Sequence, residues 1–197
     1  MVLDRKTAIT THKILDTIKN RWSPRAFDNR PISDEELNQL FEAMRWAPSS
    51  MNEQPWRIIY ARKGEAAYDE IVKALMPGNQ VWAKDAPVLM VTLVSKYFSR
   101  NMTINKSAQH DLGLAIGNLG IQATALDIGL HQMGGFNPAH IKNTFNINDD
   151  FDIVTCIALG YFGDPDSLDE HLKQRELAER NRKPIENFVN HGEFSNQ

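Results

Sequence analysis

The sequence predicts a mixed α/β layer protein, and three observations carry that prediction. Helical and strand periodicities alternate along the chain instead of falling into separate blocks. The first strand pattern comes only after two helical segments. The run Pro87-Val88-Leu89-Met90-Val91-Thr92-Leu93-Val94 is apolar on both faces, the pattern of a central strand covered by helices. The connections leave parallel and antiparallel pairing open. No repeat, low-complexity block or Pro/Gly/Ser linker divides the chain. Residues 1–197 are therefore expected to form a single domain, with 180–197 as a C-terminal tail packing on the body or on a partner subunit.

The first helix is expected over residues 12–20, with Ile14, Leu15 and Ile18 as its apolar stripe. It ends near Arg21-Trp22-Ser23-Pro24, because proline disfavours helical geometry in the residue before it. Ser33-Asp34-Glu35-Glu36 is a capping box, in which Ser33 accepts from the third backbone amide and Glu36 reaches back. Leu37, Leu40, Phe41 and Met44 mark one buried face of the helix that follows, and Pro48 stops it. Residues 56–61 read as a strand and 65–75 as a helix. Residues 108–130 form the longest helical candidate, apolar nearly all round, with Gly113, Gly117 and Gly120 inside it. Each such glycine costs roughly 1 kcal/mol against alanine, which reads either as slack tolerated in a buried helix or, the favoured reading, as close approach of another helix, including one from a partner subunit. Residues 152–161 read as a last central strand and 168–179 as a helix. In the polar tail beyond, Ile185, Phe188, Val189 and Phe194 are the expected anchors.

Composition narrows the function. Hydrophobic residues are 42% and charged residues 24%, as in a globular protein, and the net charge of −3 supplies no global field toward nucleic acid or an anionic membrane. No apolar run approaches the roughly 20 residues that cross a bilayer, and Met1 to Lys6 precede no apolar core of signal-peptide length. A cytoplasmic protein is expected. The six histidines are scattered, so no metal site is expected. Cys156, the only cysteine, lies in an apolar run and reads as a buried, inert thiol.

Four separated segments carry chemistry, and each is ambiguous alone. Arg21-Trp22-Ser23-Pro24-Arg25 sets two guanidinium forks around a hydroxyl, which suits phosphate oxygens but also describes a solvated helix end. Ala47-Pro48-Ser49-Ser50-Met51-Asn52-Glu53-Gln54-Pro55-Trp56 presents two hydroxyls and two carboxamides between prolines, which suits an uncharged heterocycle and a polyol or merely a polar connection. Gln132-Met133-Gly134-Gly135-Phe136-Asn137-Pro138 lets backbone amides approach a planar ligand, or is a glycine helix cap with its turn. Arg180-Asn181-Arg182-Lys183-Pro184 is a second cationic cluster or a basic tail.

Taken together and in this order, the segments resemble the nitroreductase family from Arg21 to about Pro184. The resemblance implies an α+β fold, a central mostly antiparallel sheet flanked by helices, and an intertwined homodimer with FMN at its interface. It implies that Arg21, Trp22, Ser23 and Arg25 hold the phosphate and ribityl end, joined by Arg180 and Arg182. Pro48, Ser49, Ser50 and Asn52 would reach the flavin from the partner subunit, with Gln54 nearby. Asn79 would meet the pyrimidine edge, and Met133, Gly134 and Gly135 would lie at the ring, Gly134 or Gly135 donating a backbone hydrogen bond toward N5. Two departures stand out. Gly134 occupies a place where some relatives carry an acid, and Trp82 one where some carry a lysine.

The implied activity is transfer of a hydride from NAD(P)H through flavin to a small acceptor such as a nitroaromatic or quinone, with ping-pong kinetics. The flavin carries the redox chemistry and the protein supplies position and electrostatics, so no side chain is singled out as an acid or base. Trp46, Tyr97, Phe98 and Phe136 are candidate walls of the acceptor pocket. Desaturation, dehalogenation and flavin fragmentation occur on the same scaffold, and a non-catalytic FMN-binding or regulatory protein is the alternative from another class.

Overall fold

The computed structural model describes residues 6–194. The N-terminal stretch Met1 to Arg5, expected to lead into no signal-peptide core, and the last three residues of the tail lie outside the described residues. Four strands form one sheet in the order β1-β2-β4-β3: β1 (Trp56–Arg62), β2 (Val88–Ser95), β3 (Ile128–Met133) and β4 (Phe151–Tyr161). All three pairings are antiparallel, which settles what the periodicities left open. The expected central strands, 87–94 and 152–161, are the two inner strands of the sheet.

Alternation along these strands divides the core in two. Val88, Met90 and Val94 of β2 and Ile157, Leu159 and Tyr161 of β4 face one apolar cluster. That cluster is closed by α2 (Asp34–Arg45) and α5 (Ala108–Ala125). Leu89, Val91 and Leu93, with Cys156 and Ala158, face a second cluster under α3 (Ala66–Ala74) and α4 (Pro77–Ala83). Ile141 of α6 (Pro138–Thr144) and Leu172 of α7 (Glu170–Leu177) complete it. Side chains two apart share a face, so one strand feeds both cores. A bulge after Thr92 shifts the β2–β4 register, and the Thr92 hydroxyl pins it by accepting from the Thr155 amide at 3.0 Å.

The capping box forms as expected: the Glu36 amide donates to Ser33 Oγ at 3.2 Å, and the Ser33 amide donates to Glu36 at 2.9 Å. The Tyr161 hydroxyl also donates to Glu36, tying α2 to the end of β4. Cys156 is fully buried, and burial pushes its thiol up to about 12, consistent with an inert group.

Three expectations are corrected. Helix α1 spans only Asp16–Asn20, because Leu15 is extended, and Ile14, Leu15 and Ile18 are exposed instead of forming a buried stripe. The long helix stops at Ala125: Asp127 takes a left-handed φ of 62° and reverses the chain, so residues 128–130 belong to edge strand β3. Gln132 and Met133 therefore end a strand, and no helix precedes the glycine pair to be capped by it. In the tail, Ile185, Phe188, Val189 and Phe194 are all exposed on this protomer instead of being buried as anchors. Helices α4 and α6, each with proline at its start, were not anticipated.

Candidate functional site

The segment after α1 crosses the end of the sheet and is held there from several sides. Pro24 lies against β3 at Gly129, where a Cβ would come within 2.4 Å of Pro24 Cγ, so only glycine admits this approach. The Pro24 carbonyl accepts from His131 Nδ1 at 2.8 Å, which places the proton of that ring on Nδ1. The Gly163 amide donates to the Ala26 carbonyl at 3.0 Å, and the Asp28 amide to the Tyr161 carbonyl at 2.9 Å. The amides of Arg25 and Ala26 turn the other way, toward α7, and donate to the buried carboxylate of Glu176.

These contacts frame a cavity of about 260 Å³. Lys6, Arg21, Arg25, Arg175, Arg180 and Arg182 supply its charge, with Trp22, Ser23 and His131 completing the wall. Burial, and then repulsion from neighbouring cations, pushes the pKa values of Arg21 and Arg180 down. Burial also depresses Arg25, with Arg175 as the next cause, and Lys6, where Glu176 works in the opposite sense. Cations packed so that they weaken one another are the electrostatic complement of a multivalent anion. Arg180 is partly committed already, its Nη1 donating to the carbonyls of Lys6 and Lys19 at 2.7 and 2.6 Å. Trp22 stacks on Phe162 with ring centroids 5.6 Å apart, and Lys6 Nζ lies 4.9 Å from the Trp22 ring centroid.

A second feature lies just beyond the end of β3. From His131 to Gly134 is three residues, about 10 Å of strand. Gly134 has open space where a side chain would be. Gly135 is fixed through its carbonyl, which accepts from the Met76 amide at 2.9 Å and from Asn79 Nδ2 at 3.0 Å. A Cβ at Gly135 would meet that same Asn79 nitrogen at 3.0 Å. The structure thus brings Asn79 of α4 and the glycine pair together just past the end of β3, the strand whose His131 lines the basic cavity. The Met133 side chain is buried in the core, which leaves its backbone to face the turn.

The loop that follows exposed Pro48 is not part of this assembly within the protomer. Met51, Asn52 and Gln54 take left-handed φ values of 55°, 55° and 53°, and hydrogen bonds hold the strained path. The Gln54 amide donates to Ser49 Oγ at 3.0 Å, and Gln54 Nε2 donates to Asn52 Oδ1 at 3.2 Å. The Ser50 amide donates to buried Asp111 at 3.0 Å, and the Ser99 amide to Glu53 at 2.9 Å. Asp111 sits in the first turn of α5, while Arg21 lies near Gly120, nine residues on and about 13 Å along the helix. The first and second segments thus lie toward opposite ends of α5.

The family model described as "Nitroreductase family" matches residues 18–161. The chain belongs to the nitroreductase family. A crystal structure described as an oxidoreductase containing FMN superposes with a TM-score of 0.91 at 32% identity, covering 100% of both chains. A nitroreductase family protein from Clostridium difficile 630 superposes at 0.73 with 22% identity, over 93% of this chain and 100% of its own, and shares the fold. A Streptomyces coelicolor protein bearing the provisional name NADH dehydrogenase/NAD(P)H nitroreductase is 26% identical over 163 residues, 73% of this chain and 80% of its own length. The protein is thus an oxidoreductase of the nitroreductase type, with that family's α+β fold.

Within this nitroreductase, Trp82 is a core residue. It is 1% exposed, with its ring centroid 4.5 Å from that of His131 and 6.3 Å from that of Phe27. Among the expected pocket walls, Trp46 is exposed and donates to Glu42 at 2.8 Å, and Phe136 packs partly against the second core. Tyr97 and Phe98 are half-buried in the turn tied to the Ser49 loop. Sequence reasoning missed Lys6, His131, Arg175 and Glu176 at the basic cavity. Arg175 had a partial signal as a cation in a helix five residues before the Arg180 pair, whereas His131 and Glu176 had none.

Proposed function

We propose that this chain is an FMN-dependent oxidoreductase passing reducing equivalents from NAD(P)H to a small acceptor such as a nitroaromatic or quinone, as a homodimer. Cytoplasmic residence goes with this reading, because the nicotinamide donor is available there. The observation that carries it is the crowded cationic cavity, about 10 Å of extended chain from an open glycine turn at the end of β3. That donor set fits a phosphate at one end of an extended polyol and a flat heterocycle at the other. When bound, FMN would supply the hydride acceptor and donor, its N5 atom.

The chain's own residues supply the rest. Arg21, Arg25 and Arg182, with Lys6 and Arg175, would neutralise the phosphate, and Ser23 would add a hydroxyl donor. Gly134 and Gly135 would offer backbone amides at the ring with no Cβ in the way. Asn79, its Nδ2 engaged by the Gly135 carbonyl, keeps Oδ1 to accept from a ring N–H. The Ser49–Ser50–Asn52 loop, held away from its own cavity by Asp111, would serve the site of a second copy. Its packing would shield the ring from water on one side and leave the other face for donor and acceptor.

Apoprotein titrated with FMN tests the reading. Quenching of flavin fluorescence that saturates at one FMN per chain and weakens as salt rises is expected. Anaerobic NADH or NADPH should then bleach the bound flavin. No FMN uptake would overturn the proposal, and uptake with no bleaching by either nicotinamide would reduce it to flavin binding.

A further inference from the structure

Glu176 is an acid in a place built for an anion. It lies near the end of α7, beyond the 18–161 span of the family match, and is only 2% exposed. The Arg25 amide donates to both its oxygens at 3.0 Å, and the Ala26 amide to Oε1 at 3.1 Å. Two successive amides converging on one carboxylate form a backbone anion site, and Glu176 fills it. Lys6 Nζ donates to the Glu176 carbonyl at 2.6 Å, so the same residue also draws in the cation at the cavity's other wall.

Burial pushes the Glu176 carboxyl pKa up, opposed by the two amides and by the charges of Arg25 and Lys6. A buried carboxylate beside a phosphate site costs desolvation and repels the incoming anion. It gives in return a fixed backbone. The segment from Pro24 to Ala26 has no strand neighbour on its α7 side, and without Glu176 two buried N–H groups would have no acceptor.

On the reading that this cavity binds the FMN phosphate, we infer that Glu176 is its positioning residue. The carboxylate locks the backbone of Arg25 and Ala26, and through it aims Ser23 and Arg25 at the phosphate, without touching the cofactor. Position and charge act in opposite directions, and two substitutions separate them. Glu176→Ala removes both the acceptors and the charge, whereas Glu176→Gln keeps an acceptor oxygen of nearly the same reach and removes only the charge.

The experiment is equilibrium binding of FMN and of riboflavin, which lacks the phosphate, to wild-type, E176Q and E176A apoprotein. E176A is expected to weaken FMN about tenfold or more, the loss of one charge-assisted contact, and to leave riboflavin within about threefold. E176Q is expected to hold FMN within about threefold of wild type or more tightly. Should E176A fail to fold, E176D, which withdraws the carboxylate by one methylene, replaces it with the same expectation. Three results overturn the inference alone: unchanged FMN affinity in E176A, equal losses for FMN and riboflavin, or E176Q falling as far as E176A. A wild-type protein that binds no FMN overturns it together with the cofactor reading.

Discussion

His131 is a neutral ring in a wall of cations. Burial is the main reason, and the charges of Arg25 and Arg175 add to it, against the Pro24 hydrogen bond, so that its pKa is pushed down to about 4. An unfolded chain would protonate the same ring near pH 6.5. Above that pH the neutral ring costs the folded state nothing. As pH falls from 6.5 the unfolded chain takes up a proton that the folded chain refuses until about pH 4, and stability is lost across that window. The difference in pKa caps the loss at about 3 kcal/mol. Urea midpoints are therefore expected to drop between pH 6.5 and 4.5. His131→Asn, which keeps a donor for the Pro24 carbonyl but cannot titrate, should flatten that drop; an equally steep profile in the variant would remove His131 as its source. Neither this residue nor Glu176 was legible beforehand, because a lone histidine and a lone glutamate acquire meaning only from what the fold sets against them. Arg21, Ser23 and Arg25 were legible because they stand together, two residues apart, and bring their chemistry with them.

At the level of elements, β3 positions the candidate site through Gly129 and His131, and it was the strand hidden from the sequence. Leu126 to Leu130 continues the apolar character of α5 with no proline, and the break is made by Asp127, a residue that tolerates a left-handed backbone at little cost. Periodicity registers no change there, because a buried helix and a buried strand look alike over a few apolar residues. The strand's functional demand is Gly129, which yields its Cβ volume to Pro24. Gly129→Ala is expected to push Pro24 and the Arg21–Arg25 segment off the sheet, costing about 1–3 kcal/mol of stability. It should weaken FMN binding about tenfold, because the cationic side chains ride on that segment. Thermal unfolding and FMN titration of the variant check both; a protein unchanged in melting and in affinity would show that the contact with Pro24 does not hold the segment. The capping box of α2 was fully legible, since its logic lies within four consecutive residues. Antiparallel pairing was legible only through the family resemblance and not from periodicity, and α4 and α6 were not legible, since short helices are set by tertiary packing.

Over the whole molecule, the protomer leaves apolar side chains exposed that the proposed dimer would cover. Ile14, Leu15 and Ile18 beside α1, Leu114 on α5 and Phe188 and Val189 in the tail are all exposed. Gly113 and Gly117 on α5 have nothing within 4 Å of a would-be side chain, so the outer face of that helix is smooth enough for close packing. The cationic cavity and the Ser49–Ser50–Asn52 loop lie toward opposite ends of the same helix, about 13 Å apart along its axis. A two-fold pairing along α5 would bring each loop to the other copy's cavity. In the proposed dimer the flavin site would be completed only between two copies, so that dimer and cofactor site form together. Sedimentation velocity followed at the flavin absorbance tests it most directly. All flavin is expected to travel with a species of twice the chain's 22.4 kDa, and dilution into monomer is expected to release it. A monomer carrying a full complement of FMN would contradict it.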